Sequence, residues 1–246
     1  MNTDNGFSQL QMVHRLPRAT LVDRFDFLRE VCSGRRVVHV GFVDAGCADA
    51  NTEAGAWLHA HLDRAAQELV GLDVDAPGVE RARSQGYHAF AVDCRDTAAV
   101  QALGIPKGEV VVAGEVIEHL DDAGAFLEGL HALVVDDGVL VVTTPNAVGW
   151  VNAFASLANY EVNHPDHVTM FTCRTLDAML RRHGWEPIEH HVFLQQVKAR
   201  ADGTLRSRMF TEGARVLLGL ERALARAGRP YVADGLVVVA APSGTG

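Results

Sequence analysis

Two runs of β-branched residues, separated by a segment of helical length, constrain the fold of this chain more than any other feature. The first run, residues 109–113, carries no charge after its first position, and the second, residues 139–143, carries none. This composition is typical of strands that are covered on both faces of a parallel sheet. The stretch from Gly108 to Asn146 therefore predicts two buried strands joined by one helix.

The same alternation of strand and helix continues along most of the chain. The sequence predicts further strands at residues 37–40, 69–72, 88–92, 190–197 and 236–240, and helices at residues 16–32, 54–68, 77–85, 98–103 and 206–226. Regular alternation of this kind predicts an α/β fold, a doubly wound and mostly parallel sheet with right-handed crossovers.

The composition narrows the class of protein. With 246 residues, 48% of them hydrophobic, the chain can bury a full core as one large domain. The formal net charge of -9 argues against general nucleic-acid binding, because phosphate contacts need clustered cations, and it favours a small-molecule partner. The four cysteines show no CxxC spacing, so we expect reduced thiols in the cytoplasm. No apolar run has the length of a transmembrane segment.

Polar residues follow the predicted strands at the point where each strand ends. Gly41 follows the first strand, but its spacing to Gly46 does not match the GxGxxG pattern of a pyrophosphate-binding loop. Asp73 ends the second strand, where a carboxylate can accept hydrogen bonds from both hydroxyls of a ribose. Asp93 ends the third, where a carboxylate can accept from an adenine amino group. Each acid alone could be a solvated strand end, but together they favour a nucleoside ligand.

Five segments of the chain together resemble the class I S-adenosylmethionine-dependent methyltransferases. They are VVHVGFVDAG, LVGLDVD, AVDCRD, VVVAGEVIEHL and DDGVLVVTTPN. The last two, with NHPDHVTMF downstream, are similar to bacterial methyltransferase domains of surface-polysaccharide and natural-product pathways. The resemblance implies a Rossmann-like methyltransferase fold, with a mostly parallel seven-stranded sheet and an antiparallel edge strand. It also implies S-adenosyl-L-methionine as the cofactor.

The resemblance further implies roles for individual residues of the cofactor site. His39 departs from the family pattern, since an acid often precedes the first glycine. By resemblance, the methionine portion of the cofactor would lie along Gly41, Asp44 and Gly46, the ribose against Asp73, the adenine against Asp93 and Cys94, and the sulfonium beside Gly114 and Glu115.

A group of ionisable residues follows the fourth strand. Glu115, Glu118 and His119 have the i, i+3, i+4 spacing that brings side chains together on one helical turn. His164 and His167 belong to a segment that we expect to fold back over the same sheet edge. A histidine with a pKa near neutrality suits the removal of a hydroxyl proton. His119, His167 and His164 are therefore candidate catalytic residues for O-methylation of a small molecule in a sugar, polysaccharide or natural-product pathway.

The same group allows a metal-dependent interpretation. Glu115, Glu118, His119 and His164 could coordinate a divalent ion such as Mg²⁺, which would orient a diol and lower the pKa of its hydroxyls. Ribose 2'-O-methyltransferases of small RNAs and ubiquinone-pathway O-methyltransferases show a similar ExxEH followed by a later histidine that is used for metal. In metal-free relatives such a glutamate caps the helix instead.

Two alternative functions stay open at this point. The first is a metal-dependent ribose 2'-O-methyltransferase that acts on RNA. It is disfavoured by the acidic residues expected around the site, which are Asp121, Asp122, Glu161 and Asp166. The second alternative is a non-catalytic partner protein that binds the cofactor, because such proteins keep the fold and lose the acceptor chemistry.

The sequence also predicts how the chain is divided into a core and the segments around it. We expect a helical lead at residues 1–34, a cofactor-binding core at 35–200 with a lid near 147–168, a helical insertion at 201–230 and a C-terminal edge strand at 231–242. Trp150 and Tyr160 would bind the acceptor under this lid, or pack in the core. The helix at 206–226 has an apolar stripe and several arginines, and it could pack on its own domain, form a homodimer or contact a membrane.

Overall fold

One sheet, flanked by helices, organises the protein. The structure is a computed structural model, and it describes residues 13–43, 57–157, 159–195 and 205–244, with residues 205–211 and 214 described by their backbone alone. The strands are β1 (Thr20–Leu21), β2 (Arg36–Val40), β3 (Glu68–Asp73), β4 (Ala89–Ala91), β5 (Gly108–Gly114), β6 (Val134–Pro145), β7 (Trp185–Phe193) and β8 (Gly235–Pro242). The α-helices are α1 (Arg24–Cys32), α2 (Leu58–Asp63), α3 (Ala76–Ser84), α4 (Thr97–Ala102), α5 (Ala123–Leu130), α6 (Trp150–Ser156), α7 (Cys173–Arg182) and α8 (Leu205–Arg226).

The strand order defines a doubly wound sheet. Within the described residues the order is β1-β7-β8-β6-β5-β2-β3-β4. Neighbouring strands from β4 to β6 pair in parallel, whereas β8 pairs antiparallel with both β6 and β7. The predicted fold class, an α/β Rossmann-like methyltransferase fold with an antiparallel element towards one edge, is confirmed.

The structure adds two details to the predicted sheet. The antiparallel strand β8 lies between β6 and β7, so it is flanked on both sides. The outermost position next to β7 is taken by β1, which pairs Thr20 with His191 and Leu21 with Val192 in parallel. This strand raises the number of strands from the predicted seven to eight within the described residues.

The predicted helix at residues 16–32 is wrong in its first part. The helix α1 begins only at Arg24, because the Asp23 carboxylate accepts hydrogen bonds from the backbone N–H groups of Phe25 and Asp26 and so caps the helix there. The residues before the cap are extended, and two of them pair with β7. The edge of the sheet overrides the local helical spacing, because it offers hydrogen bonds that a helix terminus lacks.

Both faces of the sheet are buried, as the runs of β-branched residues predict. Val38, Val111 and Leu140 point to one face, where they pack with side chains of α5 and α7 such as Leu127 and Leu176. The alternate positions point to the other face and pack with Leu28 of α1 and Leu62 of α2, and these positions include Val37, Val110 and Val141. Helices on both faces leave the carboxyl ends of the parallel strands open at one edge.

Several predicted elements have other limits in the structure. The predicted helix at 54–68 is the short helix α2, and residues 54–56 lie outside the described residues. The predicted strand at 190–197 is β7, which starts earlier, at Trp185, and ends at Phe193. Trp185 is fully buried and its indole Nε1 donates to the carbonyl of Leu127 at 2.9 Å, which anchors β7 to α5.

The helix α8 forms part of the connection between β7 and β8. Of its predicted apolar stripe, Leu217 and Leu224 are half-buried and Leu220 is exposed, while the side chain of Phe210 lies outside the description. Among its described side chains, Glu221 and Ala225 are buried. Among the described helices, none is long and apolar enough to cross a membrane.

Candidate functional site

A cavity of about 310 Å³ opens at the carboxyl ends of β2 to β5. We call it the edge cavity. It is lined by residues that follow each of these strands, namely Val40, Gly41, Asp73, Val74, Val92, Asp93, Cys94, Glu115, Val116, His119, Leu120, Phe126, His164 and Asp166. Open α/β sheets bind their ligands in this position, outside the carboxyl ends of the strands.

Gly41 makes the sharp turn after β2. Its φ is +71°, and a Cβ atom there would lie 2.1 Å from Cγ2 of Val116. Both the left-handed backbone and the close approach require glycine. The other two residues expected along the methionine portion, Asp44 and Gly46, lie outside the described residues.

Asp73 is half-buried at the end of β3, and its carboxylate lines the edge cavity. Its Oδ2 accepts from the backbone N–H of Val43 at 2.9 Å, and its Oδ1 accepts from that of Asp75 at 2.9 Å. Two backbone donors hold the carboxylate in one orientation, and each oxygen keeps a second lone pair for a ligand. The arrangement suits two adjacent hydroxyls.

Asp93 and Cys94 differ in what they can offer. The Asp93 carboxylate is engaged by the Arg95 guanidinium through contacts of 2.7 to 3.0 Å, and this hydrogen bonding lowers its pKa. An adenine amino group would share this carboxylate with Arg95. Burial raises the pKa of the Cys94 thiol to about 12, so it is neutral and contributes an apolar wall.

Gly114 and Glu115 end β5 at the centre of the sheet. A Cβ at Gly114 would make only ordinary contacts at 3.5 Å, so space alone does not require glycine there. Glu115 has a φ of +56°, a left-handed conformation that is uncommon for a glutamate. Its Oε1 accepts from the Thr143 hydroxyl at 3.1 Å and lies 3.5 Å from Nη1 of Arg24. These partners fix the carboxylate at the rim of the edge cavity.

Glu118 is fully buried next to this rim. The Thr144 hydroxyl donates to its Oε2 at 2.9 Å, whereas its Oε1 has no hydrogen-bond partner among the described residues. Burial, followed by repulsion from Glu115, raises the pKa of Glu118 to about 8. A buried carboxyl with an unsatisfied oxygen is costly, which marks Glu118 as a candidate for ligand contact.

The three candidate catalytic histidines come together above the edge cavity. The ring centroids of His119 and His167 are 4.6 Å apart, and His164 lies 6.0 Å from His119 and 5.5 Å from His167. His119 Nδ1 is 3.2 Å from the carbonyl oxygen of Asp166. Because a carbonyl can only accept, the Nδ1–H of His119 donates this bond, and in the neutral imidazole Nε2 is the acceptor.

His167 is held in a similar way by a neighbouring amide. Its Nδ1 is 2.5 Å from Oδ1 of Asn163. Partial burial, followed by repulsion from His119 and His164, lowers the pKa of His167. The imidazole is therefore neutral at pH 7 and can accept a proton or bind a metal.

A metal could be held by a set of donors that differs in part from the predicted one. Ligand atoms of Glu118, His119 and His167 lie within 4.8 Å of one another. Glu115 and His164, the other two predicted ligands, do not belong to this group. One carboxylate and two imidazoles suit a divalent transition metal, and the unpartnered Oε1 of Glu118 fits such a role.

Trp150 and Tyr160 do not line the edge cavity. Trp150 begins α6, where the centroid of its ring lies 5.3 Å from that of Phe154. Its buried Nε1 has no partner in the part of the chain that the structure describes. Tyr160 is 71% exposed. Their predicted contact with an acceptor stays a prediction.

The sequence analysis missed the role of Arg24. Its guanidinium pairs with Glu115 and lies 5.2 Å from the centroid of the Phe193 ring, so α1 reaches the sheet edge beside β5. No local motif marks this arginine. His39 is buried on β2, with Nδ1 3.1 Å from Nδ1 of His59, and burial lowers its pKa well below the usual value.

A family model described as a methyltransferase domain matches residues 23–190, more than half of the chain. The chain therefore belongs to the methyltransferase domain family, within the class I S-adenosylmethionine-dependent methyltransferases. This confirms the predicted class, its fold and S-adenosylmethionine as the cofactor. The half-buried Asp73 carboxylate and the turn at Gly41 fit that cofactor, since they offer paired acceptors and close backbone approach.

The curated relatives are only distantly similar. A "Probable S-adenosylmethionine-dependent methyltransferase" of Mycolicibacterium smegmatis is 29% identical over 181 residues, which cover 71% of this chain and 63% of that protein. A ubiquinone biosynthesis O-methyltransferase of Rhodopseudomonas palustris is 32% identical over 84 residues. That match covers 34% of this chain and 33% of the relative, so the chain spans about a third of the relative's length.

Solved structures share the fold. The structure of magnesium protoporphyrin IX methyltransferase from Synechocystis PCC 6803, with bound S-adenosylhomocysteine, has a TM-score of 0.53 and 12% sequence identity. The similarity covers 89% of this chain and 82% of that chain. At this identity the match shows a common architecture.

Proposed function

We propose that this protein transfers the methyl group of S-adenosylmethionine to a hydroxyl oxygen of a small molecule. The observation that carries the proposal is the His119 imidazole, whose Nδ1 bonds the Asp166 carbonyl while its ring lines the edge cavity beside Glu115. This hydrogen bond leaves Nε2 as a proton acceptor at the place where the acceptor hydroxyl would lie. The neutral His167 imidazole lies beside His119, with the two ring centroids 4.6 Å apart.

The residues have separate tasks in this proposal. When bound, S-adenosylmethionine supplies a methyl group on a sulfonium, which is a good leaving group. Asp73 would hold the ribose, and the fixed Glu115 carboxylate would lie near the positive sulfur. The acceptor oxygen forms the new C–O bond as the C–S bond breaks with its electron pair on sulfur, and His119 Nε2 takes the hydroxyl proton. Orientation of the reacting atoms can supply about 7 to 11 kcal/mol.

The acceptor class follows from the surroundings of the site. Asp121, Asp122, Glu161 and Asp166 are all exposed near the cavity mouth or the segment that covers it. An RNA strand would meet repulsion there. We therefore favour an acceptor from a sugar, polysaccharide or natural-product pathway over RNA. We place the reaction in the cytoplasm, which agrees with the free, buried thiols of Cys32, Cys94 and Cys173.

A tritiated-methyl assay with a panel of sugars, catechols and phenols tests the proposal. We expect His119→Gln to lower kcat about 100- to 10,000-fold, because the general base is lost. His167→Gln should have a smaller effect. His88→Gln, which changes an exposed histidine away from the cavity, serves as control. Turnover of His119→Gln within a few-fold of the wild type would refute the role of His119.

A metal-assisted reaction is the second candidate, and the geometry of Glu118, His119 and His167 favours it. A bound divalent ion would lower the pKa of an acceptor hydroxyl. In that case a chelator should abolish turnover, and Glu118→Gln should weaken metal binding measured by calorimetry. Full activity after chelation would mean that the histidine base acts without a metal. A protein that binds S-adenosylhomocysteine but methylates no member of the panel would favour the non-catalytic partner.

A further inference from the structure

A second cavity, of about 670 Å³, lies at the same sheet edge on the side of β1 and β7. We call it the arginine cavity. Its wall is formed by residues that follow β1 and β7 and by one face of α8, and it includes Arg24, Leu194, Leu218, Glu221, Arg222 and Arg226. Since β1 and β7 are parallel to β5, this cavity opens on the edge that also carries the edge cavity.

The two cavities meet at one ion pair. Arg24 lines the arginine cavity, and its Nη1 lies 3.5 Å from Oε1 of Glu115, which lines the edge cavity. The Arg24 guanidinium is fixed further by the Phe193 ring at the end of β7. A molecule in the arginine cavity therefore lies next to the position proposed for the reacting methyl group.

Cations dominate the outer wall of the arginine cavity. Arg222 and Arg226 are one turn apart on α8, so both guanidinium groups project from the same face. Within the described part of the chain, no carboxylate lies within ion-pair distance of either of them. The nearby Asp23 carboxylate is occupied as the cap of α1. Two arginines in this arrangement suit the oxygens of a carboxylate or a phosphate.

The inner wall contains a buried carboxyl group. Glu221 is fully buried, its Oε1 accepts from the backbone N–H of Asp234 at 3.0 Å, and its carboxyl also bonds the side chain of Asp234. Burial, followed by repulsion from Asp234, raises the pKa of Glu221 to about 7. Much of its population is therefore neutral at pH 7, so Glu221 opposes an anion less than an ordinary glutamate would.

We propose that the arginine cavity binds an anionic group of the methyl acceptor, a carboxylate or a phosphate, through Arg222 and Arg226. This inference rests on the proposed function, and it narrows the acceptor to acidic small molecules with a hydroxyl that reaches the edge cavity. The anion fixes the orientation of the acceptor, because it is held on α8 while the hydroxyl points past Arg24 to His119. Arg222 and Arg226 are thus specificity-determining residues.

Binding of matched acid and neutral compounds to the protein loaded with S-adenosylhomocysteine tests the inference. Calorimetry at low ionic strength compares 3,4-dihydroxybenzoate with 3,4-dihydroxybenzamide, and glucose 6-phosphate with glucose. We expect at least one acid to bind about tenfold or more tightly than its neutral partner. The pair of compounds that shows this difference in affinity tells whether the cavity prefers a carboxylate or a phosphate.

Variants of α8 assign the preference to the two arginines. In the double variant Arg222→Gln, Arg226→Gln the preference should fall to about twofold or less, and the thermal midpoint should change little because both side chains are exposed. The control is Arg215→Gln, which removes an exposed arginine of α8 that pairs with Glu212 outside the cavity. This control should keep the full preference.

Two results would overturn the inference. One is that neither acid binds better than its neutral partner, and the other is that the double variant keeps the preference. If, with either of these results, S-adenosylhomocysteine still binds and neutral compounds are still methylated, the anion site is refuted and the proposed function is not. If S-adenosylhomocysteine itself does not bind, the proposed function fails and the inference fails with it.

Discussion

The two sides of the sheet edge are built in different ways. On the cofactor side, each of β2 to β5 ends in, or is directly followed by, a residue that lines the edge cavity, and the helices between them pack closely on the sheet. On the acceptor side, the arginine cavity combines the ends of β1 and β7 with α8, which lies in the long connection before β8. The first side is made of neighbouring segments, and the second is made of segments far apart in the chain.

The difference separates two kinds of recognition. An invariant ligand can be bound by short segments whose geometry is fixed by the strands they follow. A variable acceptor is better served by an inserted helix, because its residues can change without disturbing the sheet. We therefore expect substitutions on the cofactor side to affect stability and cofactor affinity, and substitutions in α8 to affect the choice of acceptor.

The largest effect should come from Gly129→Ala on the cofactor side. A Cβ at Gly129 of α5 would lie 1.8 Å from the carbonyl oxygen of Cys94, which belongs to the loop that lines the edge cavity. The helix or the loop must shift, and we expect a loss of about 3 kcal/mol in the free energy of unfolding. Chemical denaturation measures it. A loss below about 1 kcal/mol would contradict the close packing on this side.

The next effect concerns the buried Glu118 carboxyl. Its pKa is about 8 in the folded protein against an ordinary value of 4.5. Between these two values the folded state binds more protons than the unfolded chain, so the free energy of unfolding falls as the pH rises. Each pKa unit corresponds to about 1.4 kcal/mol. Glu118→Gln cannot ionise and should lose this part of the decline.

Thermal denaturation at two pH values checks the Glu118 prediction. At about pH 5 the variant and the wild type should melt at similar temperatures, and at about pH 8.5 the variant should melt several degrees higher. The exposed Glu161 provides a control, because Glu161→Gln should follow the wild type at both pH values. Parallel pH curves for Glu118→Gln and the wild type would show that the carboxyl is not buried in its neutral form.

A contrast between the two strand-end acids sharpens the picture of the cofactor side. Asp73→Ala should weaken S-adenosylmethionine binding about 10- to 100-fold, because hydrogen bonds to a charged group are worth about 1.5 to 3 kcal/mol. Asp93→Ala should cost about fivefold or less, since Arg95 already occupies that carboxylate. Calorimetry measures both affinities. An unchanged affinity in Asp73→Ala would remove the basis of the ribose assignment.

The smallest effect on stability should come from a substitution in α8, and it should stabilise the protein. Gly219 is an exposed position within this helix, and a Cβ there would meet no atom within 4 Å. Gly219→Ala should therefore raise the free energy of unfolding by roughly 0.5 to 1 kcal/mol, because alanine favours the helix more than glycine does. A destabilised Gly219→Ala would mean that α8 packs against something at this position.

The fold was largely predictable from the sequence, and the errors of the prediction lie towards the ends of the chain. Strands β2, β5 and β6 follow from β-branched runs that can be buried only between two layers of helices. The N-terminal segment was predicted as one helix because its apolar residues have helical spacing, but Thr20 and Leu21 pair with β7. Such pairing depends on an edge formed by residues that lie far along the chain, so local periodicity carries no sign of it.

The candidate site was predictable only where residues follow their own strands. Asp73, Glu115 and His119 line the edge cavity as expected. The loop that returns over the edge was expected to bring histidines close, but its geometry decides that His167, not His164, joins the group with Glu118 and His119. A loop without regular periodicity does not reveal which of two nearby side chains turns inward.

The sequence by itself determined the parallel sheet and the acids at its strand ends, because burial patterns and strand ends are local properties of the chain. Its resemblance to a methyltransferase family indicated the class of cofactor. Only the tertiary structure decided that Arg24 meets Glu115 and that Arg222 and Arg226 share a cavity with it. Arg24 is 91 positions from Glu115 and about 200 positions from Arg222 and Arg226. Their arrangement depends on how β1, β7 and α8 come together at one edge. Such contacts arise from packing between layers, which no short stretch of sequence encodes.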